Sequence, residues 1–296
     1  MNASTILLAV GLTTLLATIA AGVVIGLVSV LQPGRLATAP ASPTIAGQAD
    51  ASPPRAASWS ATLHIGVVVS LVVLLAALVA RTFATGHAPW SNLHEFSGAF
   101  ATAVLAVYLV LERTAPIRGL APFVALLAAA LVGFALTLDD RIDPLVPALQ
   151  QPLLLTIHVG AAVTAYAVSA VAFVAALAEI VGRRAPELAR VLPSPELSRA
   201  VGHRAVLIGF PILTAAIALG TLWANMAWRS YWSNDPKELA AAATWFVFAA
   251  YLHVAGRRDS WAAAAPWLIV LGFAGVLFTY IGAGLVFVGE HSYATP

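Results

Sequence analysis

The stretch "LAPFVALLAAALVGFALTL" (residues 120–138) carries no charged side chain. An apolar helix of about 20 residues crosses the hydrocarbon core of a bilayer, which is about 30 Å thick. The whole chain has 296 residues, of which 60% are hydrophobic and only 9% are charged. These features predict an all-α integral membrane protein, folded as a single polytopic domain over 1–296. About eight transmembrane helices are expected, near 4–31, 61–83, 95–112, 120–138, 153–181, 203–222, 239–255 and 263–288.

The basic residues predict which way the helices cross. If the N-terminus is extracytoplasmic, eleven arginines fall on the inner side, and only Arg81, Arg141, Arg229 and Lys237 fall outside. Short cytoplasmic loops are enriched in Lys and Arg, so both termini are expected outside. Residues 33–58, rich in Pro, Ala and Ser, are then expected to form a flexible cytoplasmic linker.

The chain has no cysteine, which excludes disulfides, thiol redox chemistry, iron–sulfur ligation and a CxxCH haem-attachment motif of its own. The formal net charge of +2 says little about partners, and no nucleic-acid partner is expected. Seven histidines remain as candidate metal ligands. In the expected orientation the outer side holds His87, His94, His158 and His291, and the inner ends of the helices hold His64, His203 and His253.

The segment "WANMAWRSYWSNDPKE" (223–238) lies outside, between helices six and seven. Its end is typical of a helix start, with Asp235 as the N-cap and Glu238 completing a capping box. Asn92 and Glu95 form a similar signal before helix three. Capping does not explain the crowding of Trp223, Trp228, Tyr231 and Trp232.

A dense group of aromatic rings favours a surface for a flat ligand, although tryptophans also form interfacial belts in membrane proteins. Haem is flat, takes axial histidines and carries two propionates. His158 and His291 are candidate axial ligands, and Arg229, Lys237 or Arg141 are candidate propionate partners. Residue chemistry alone leaves a haem site and a quinone site open.

The same segment resembles the tryptophan-rich WWD signature of haem-handling proteins. Four further segments resemble the CcsA/ResC family of system II cytochrome c biogenesis, in the same order as in that family. These are "GHAPWSNLHEF" (86–96), "ALQQPLLLTIHV" (148–159), "TWFVFAAYLH" (244–253) and "FTYIGAGLVFVGEHSYA" (278–294).

The resemblance implies that haem b is carried across the membrane and presented to the CxxCH thiols of an apocytochrome c. The partner would be a CcsB/ResB-like protein, forming a cytochrome c synthase, with thiol reduction performed by another protein. His158 and His291 would ligate the iron at the outer site, and His253 at a transmembrane site. The other residues expected to bind the cofactor are Trp223, Trp228, Tyr231, Trp232, Asp235, Arg229 and Lys237. No catalytic residue is implied, and a plasma (inner) membrane is favoured over a thylakoid membrane.

The chain departs from the family pattern at five positions. It has Arg229 in place of Gly, Asn234 in place of Trp, His94 in place of Tyr, Gly284 in place of Asn and Glu290 in place of Leu. His94 is expected to be an extra candidate ligand near the outer site, and Glu290 to hydrogen-bond His291. Two alternatives remain, namely a haem exporter or chaperone without attachment activity, and a non-haem membrane subunit whose tryptophans form an interfacial belt.

Overall fold

The computed structural model describes residues 2–31, 54–142, 145, 149–150, 152–185, 187–188, 191–257, 263–287 and 289–291. Over these residues it is helical without strands, and eight helices are long and apolar enough to cross a membrane, as predicted. The helices are α1 (Ala3–Leu31), α2 (Pro54–Thr85), α3 (Leu93–Glu112), α4 (Ala121–Thr137), α5 (Pro152–Arg184), α6 (Pro195–Trp228), α7 (Pro236–Ala255) and α8 (Ala265–Leu277). A π-helical turn (Phe278–Gly282) and a short α9 (Ala283–Val286) follow α8.

The helix starts follow local chemistry. Proline stands at the first position of α2, α5, α6 and α7, where its missing N–H costs no hydrogen bond. The predicted N-caps are both present. The Asn92 side chain accepts from the Glu95 N–H at 2.9 Å, and Asp235 accepts from the Lys237 N–H at 2.9 Å.

Two predicted boundaries need correction. Of the expected linker, 33–53 lie outside the described residues, whereas 54–58 form the first turns of α2. The tryptophan-rich segment 223–238 is mostly not a loop, because α6 continues to Trp228 and α7 begins at Pro236. Helix α6 ends at Arg229, the C-cap residue, which has a left-handed backbone (φ 62°).

The centre of the bundle is α5, which packs against α3, α6 and α8 and is the most buried of the spans. Much of its buried surface is alanine, including Ala167, Ala170 and Ala175, which lets neighbouring backbones approach closely. Apolar side chains of α1, α2 and α6 point outward in large numbers, as is expected of surfaces that face lipid.

Chain direction alternates through the bundle, so one end of it gathers the start of α3, α5 and α7 with the end of α2, α4 and α6. We call this the tryptophan end, after Trp90, Trp223, Trp228 and Trp232. Hydrogen bonds support this arrangement, because Thr5 of α1 and Arg81 of α2 both donate to the segment that follows α4, and Arg81 also donates to Glu95 of α3.

Candidate functional site

A cavity opens at the tryptophan end, with about 1200 Å³ of space when its mouth is counted. Its walls come from 90–93, the early part of α5, the last turns of α6, the first turns of α7, the π-helical turn and His291. Aromatic and aliphatic side chains dominate the lining, and two histidines and Lys237 supply polar groups. A largely apolar cavity with a few polar groups is typical of a small-molecule site. The π-helical turn contributes Thr279 and Tyr280, and such turns are frequent at functional sites.

The two histidines of the cavity are both held through Nδ1. His158 Nδ1 lies 2.9 Å from the Ala216 carbonyl oxygen, and His291 Nδ1 lies 2.8 Å from Asp235 Oδ1. A carbonyl oxygen only accepts, so His158 must carry its hydrogen on Nδ1. The same tautomer follows for His291 if Asp235 is ionised. In that tautomer Nε2 carries the lone pair that a metal ion binds.

The Asp235 carboxyl is ionised at neutral pH. Burial on its own would raise the pKa of this group, but the hydrogen bonds from the His291 side chain and from the Lys237 and His291 backbone N–H groups lower the pKa to about 2. One carboxylate therefore caps α7 and orients His291. The sequence prediction that Asp235 is an N-cap is confirmed, and it is Asp235, rather than the exposed Glu290, that contacts His291.

Trp223 is in ring contact with both histidines. Its ring is stacked on His158 at a centroid distance of 6.1 Å and tilted against His291 at 5.9 Å. The Trp228 ring packs edge-on against the rings of Trp223 and His291, at centroid distances of 4.7 and 4.8 Å. Trp232 lines the mouth, and its Nε1 donates to Asn234 Oδ1 at 2.9 Å. Trp223 and Trp228 therefore contact the imidazoles directly, and Trp232 lines the same cavity.

Two buried indole nitrogens have no acceptor among the described residues, Nε1 of Trp90 and Nε1 of Trp223. Both residues line the cavity. A buried N–H without a partner is unfavourable, so a bound molecule with acceptor oxygens would gain by supplying one. A carboxylate-bearing planar ligand such as haem fits this lining, with two imidazoles for its iron and indole and ammonium donors for its acidic groups.

Sequence reasoning singled out Trp223 but missed Trp90. The signal was weak, because Trp90 is an isolated aromatic residue within "GHAPWSN". That segment nevertheless belongs to the family resemblance, and this match is the signal that could have pointed to Trp90.

The structure brings most of the expected outer-site residues together. Five of them line the cavity, namely His158, His291, Trp223, Trp232 and Lys237. Trp228 and Asp235 do not line it, but both contact His291. Tyr231 and Arg229 are exposed and are not among the lining residues. Arg141 pairs with Asp139 at 2.6 Å, away from the cavity.

His94 does not add a ligand to this site, contrary to the sequence-based expectation. It is only 2% exposed, its Nδ1 lies 2.9 Å from the Ala135 carbonyl oxygen, and it is not among the residues that line the cavity. The tyrosine-to-histidine change is therefore accommodated within the packing of α3 against α4.

The inner histidines lie at the opposite end of the bundle. His253 is exposed on α7, and no hydrogen bond joins it to another described residue. His203 Nδ1 lies 3.1 Å from the Tyr251 hydroxyl, and His64 Nδ1 lies 3.0 Å from Glu112. His203 and His64 are thus engaged with neighbouring side chains, and His253 faces outward.

Together the fold and the cavity define a multi-pass helical membrane protein with a paired-imidazole, tryptophan-lined site at one end. The family model described as "Cytochrome C assembly protein" matches residues 90–291, which include every residue of the site described above. A cytochrome c biogenesis protein CcsA from Prochlorococcus marinus (strain MIT 9303) is 35% identical over 273 residues, covering 80% of this chain and 85% of the relative.

Further CcsA proteins give similar figures. The one from Synechococcus sp. (strain CC9605) is 34% identical, covering 80% of this chain and 88% of its own length. The one from Synechococcus elongatus is 31% identical, covering 77% and 86%. The chain belongs to the CcsA family of cytochrome c biogenesis proteins. Its role is therefore in cytochrome c biogenesis.

Proposed function

We propose that this chain carries haem b across the membrane and presents it to the CxxCH thiols of an apocytochrome c. The observation that carries this proposal is the pair of Nδ1-held imidazoles, His158 and His291, which both contact the Trp223 ring and line one cavity. Each is set in the tautomer that offers Nε2 to iron. The membership of the family places the function in cytochrome c biogenesis, where haem is the group attached.

In this proposal the protein positions its cargo and needs no nucleophile of its own. Haem supplies the vinyl groups, across which each thiol S–H adds, sulfur to one carbon and hydrogen to the other. His158 and His291 hold the iron, and the tryptophans exclude water from the ring. Lys237 and the indole N–H groups of Trp90 and Trp223 bind the acidic oxygens.

The site is proposed to face the extracytoplasmic side, with both termini outside, because of the positive-inside bias. We place the protein in the plasma (inner) membrane; the thylakoid is the alternative, since the relatives above are cyanobacterial. His253, exposed on α7 at the opposite end, is proposed as a haem ligand that a second protein completes. A CcsB/ResB-like partner with its own histidine would meet that requirement, and together the two chains would act as the synthase.

Two other functions are separable by experiment. A haem exporter without attachment would bind haem in the same cavity but would modify no CxxCH protein. A non-haem subunit with an interfacial aromatic belt would retain no haem. The gathering of Trp223 and Trp228 about His291 favours the two haem functions over the belt.

The test is to purify the chain with its ResB-like partner from haem-replete cells and to record oxidised and reduced spectra. A six-coordinate bis-histidine spectrum is expected, weakened in His158→Ala and in His291→Ala. His87→Ala is the matched control, because His87 lies at the same end but does not line the cavity. Added imidazole should restore haem to the two cavity variants.

Three results would decide against parts of the proposal. Parent protein that is folded and free of haem would exclude the haem site. Parent-like spectra in both cavity variants would exclude His158 and His291 as ligands. Haem retention without any covalent product, when an apocytochrome c and reductant are supplied, would favour the exporter.

A further inference from the structure

One wall of the cavity is a short non-helical segment together with the first residue of α3. Trp90, Ser91 and Asn92 precede α3, and all three line the cavity together with Leu93. We call residues 90–93 the front wall. Its geometry decides where the Trp90 indole N–H lies, yet no helical hydrogen bonding fixes Trp90 and Ser91.

Glu95 holds the front wall in place through hydrogen bonds with Ser91. Glu95 Oε2 accepts from the Ser91 backbone N–H at 2.8 Å and from the Ser91 hydroxyl at 2.7 Å. Its other oxygen, Oε1, accepts from Arg81 Nε at 2.8 Å. Both oxygens of the carboxylate are thus used, one for the wall and one for α2.

Arg81 extends the connection to the rest of the bundle. Its two terminal nitrogens donate to the backbone carbonyl oxygens of Asp140 and Arg141, at 2.7 and 3.0 Å. The Asp140 carboxylate in turn accepts from the Thr5 hydroxyl at 2.6 Å. One guanidinium therefore joins α2, α3 and the segment after α4, and through Asp140 it reaches α1.

Among the described ion pairs, Arg81–Glu95 is the one with both side chains almost fully buried, at 4% and 0% exposure. Burying two charges costs a desolvation penalty that their attraction does not always recover, and an apolar pair of similar size is often as stable. An apolar pair could not hold Ser91 or the two carbonyl groups. Only the charged pair can make the hydrogen bonds that fix the position of the front wall.

We propose that Arg81 and Glu95 are positioning residues that fix the front wall of the cavity, and with it the Trp90 indole, by way of Ser91. Neither side chain lines the cavity itself. Their effect on any bound molecule is indirect, through the width of the cavity and the direction of Trp90.

The absence of cysteine in the parent chain makes a distance measurement straightforward. Cysteines at Ala88, next to the wall, and at Leu239, on the exposed side of α7, take spin labels for pulsed electron paramagnetic resonance in the full chain without haem. Three backgrounds are compared with the parent: Glu95→Gln, Arg81→Lys, and the apolar double variant Arg81→Met with Glu95→Leu. Glu112→Gln is the matched control, since Glu112 is a similarly buried carboxylate that contacts Arg118 and His64 at the opposite end.

The distance distribution is expected to broaden about twofold in the apolar double variant, because a wall without its hydrogen bonds opens locally while the fold persists. Its thermal unfolding midpoint should stay close to that of the parent. Glu95→Gln and Arg81→Lys should broaden the distribution less, and Glu112→Gln should leave it unchanged. Haem retention, measured separately, should fall in the order of the broadening.

Parent-like distributions in both the double variant and Glu95→Gln would overturn the proposal. If the double variant fails to fold, the widths of the distance distributions of Glu95→Gln and Glu112→Gln are compared instead. Equal widths in these two variants would overturn the proposal. The distances are measured without haem, so a parent that binds no haem would refute the proposed function and leave this result standing.

Discussion

At the scale of single residues, the Asp235 side chain has two roles. It caps α7, and it holds the ring of His291, which lies 56 positions further along the chain. The position of the second imidazole is therefore coupled to the start of a helix. The cap was visible in the sequence, but the contact with His291 was not, because no local pattern links residues so far apart.

Asp235→Asn separates these two tasks. Asparagine caps helices about as well as aspartate, so the fold should persist. The amide can no longer act as a charged acceptor for His291, and loss of such a partner typically weakens metal binding about 10–100-fold. We expect similar thermal stability and a marked loss of haem, measured by spectral titration. Asp139→Asn, an exposed carboxylate at the same end, is the control, and equal haem loss in both variants would contradict the assigned role.

Arg229→Gly tests the arginine that stands where the family pattern has glycine. Arg229 has a left-handed backbone (φ 62°), which costs a non-glycine residue about 1 kcal/mol. Since its side chain does not line the cavity, we expect higher thermal stability and unchanged haem affinity. Asn234→Gly, at φ 60°, should gain less, because asparagine tolerates this conformation. A loss of haem in Arg229→Gly would instead support the propionate interpretation of Arg229.

At the scale of helices, the site depends on how closely α6 passes α5. A Cβ atom added at Gly220 of α6 would lie 2.8 Å from His158 Cε1, closer than van der Waals contact allows. Gly160, two residues after His158 on α5, has open space where a Cβ atom would lie. A methyl group added at Gly220 would therefore clash with the His158 imidazole, whereas one added at Gly160 would meet no other atom.

Gly220→Ala should displace the His158 ring and lower haem occupancy, with little global unfolding. Gly160→Ala should keep haem and stabilise the helix by about 0.5–1 kcal/mol, the usual gain from glycine to alanine. The readouts are the Soret spectrum and the thermal unfolding midpoint of each purified variant. Parent-like haem in Gly220→Ala would mean that His158 is not held by this close approach.

The helices themselves were largely predictable, since apolar runs and caps are local signals. The predicted end of α6 lies six residues too early, because tryptophans next to polar residues suggest a loop, whereas Trp223 and Trp228 continue the helix. The Arg81–Glu95 pair and the orphan indole of Trp90 were not predicted. Both depend on contacts between separate helices, which a single sequence does not display.

At the scale of the whole molecule, the proposed function requires that the tryptophan end face outward. The described helices place Tyr231 at that end and Thr114 at the opposite end, and both are exposed. In the cysteine-free chain, Tyr231→Cys and Thr114→Cys each give one reactive site on an unreactive background. We expect a membrane-impermeant maleimide to label Tyr231→Cys in intact cells and Thr114→Cys only after lysis, because the predicted topology puts eleven of the fifteen basic residues on the Thr114 side. The reverse pattern would put the cavity on the cytoplasmic side, where it could receive haem but could not meet an apocytochrome c outside the membrane.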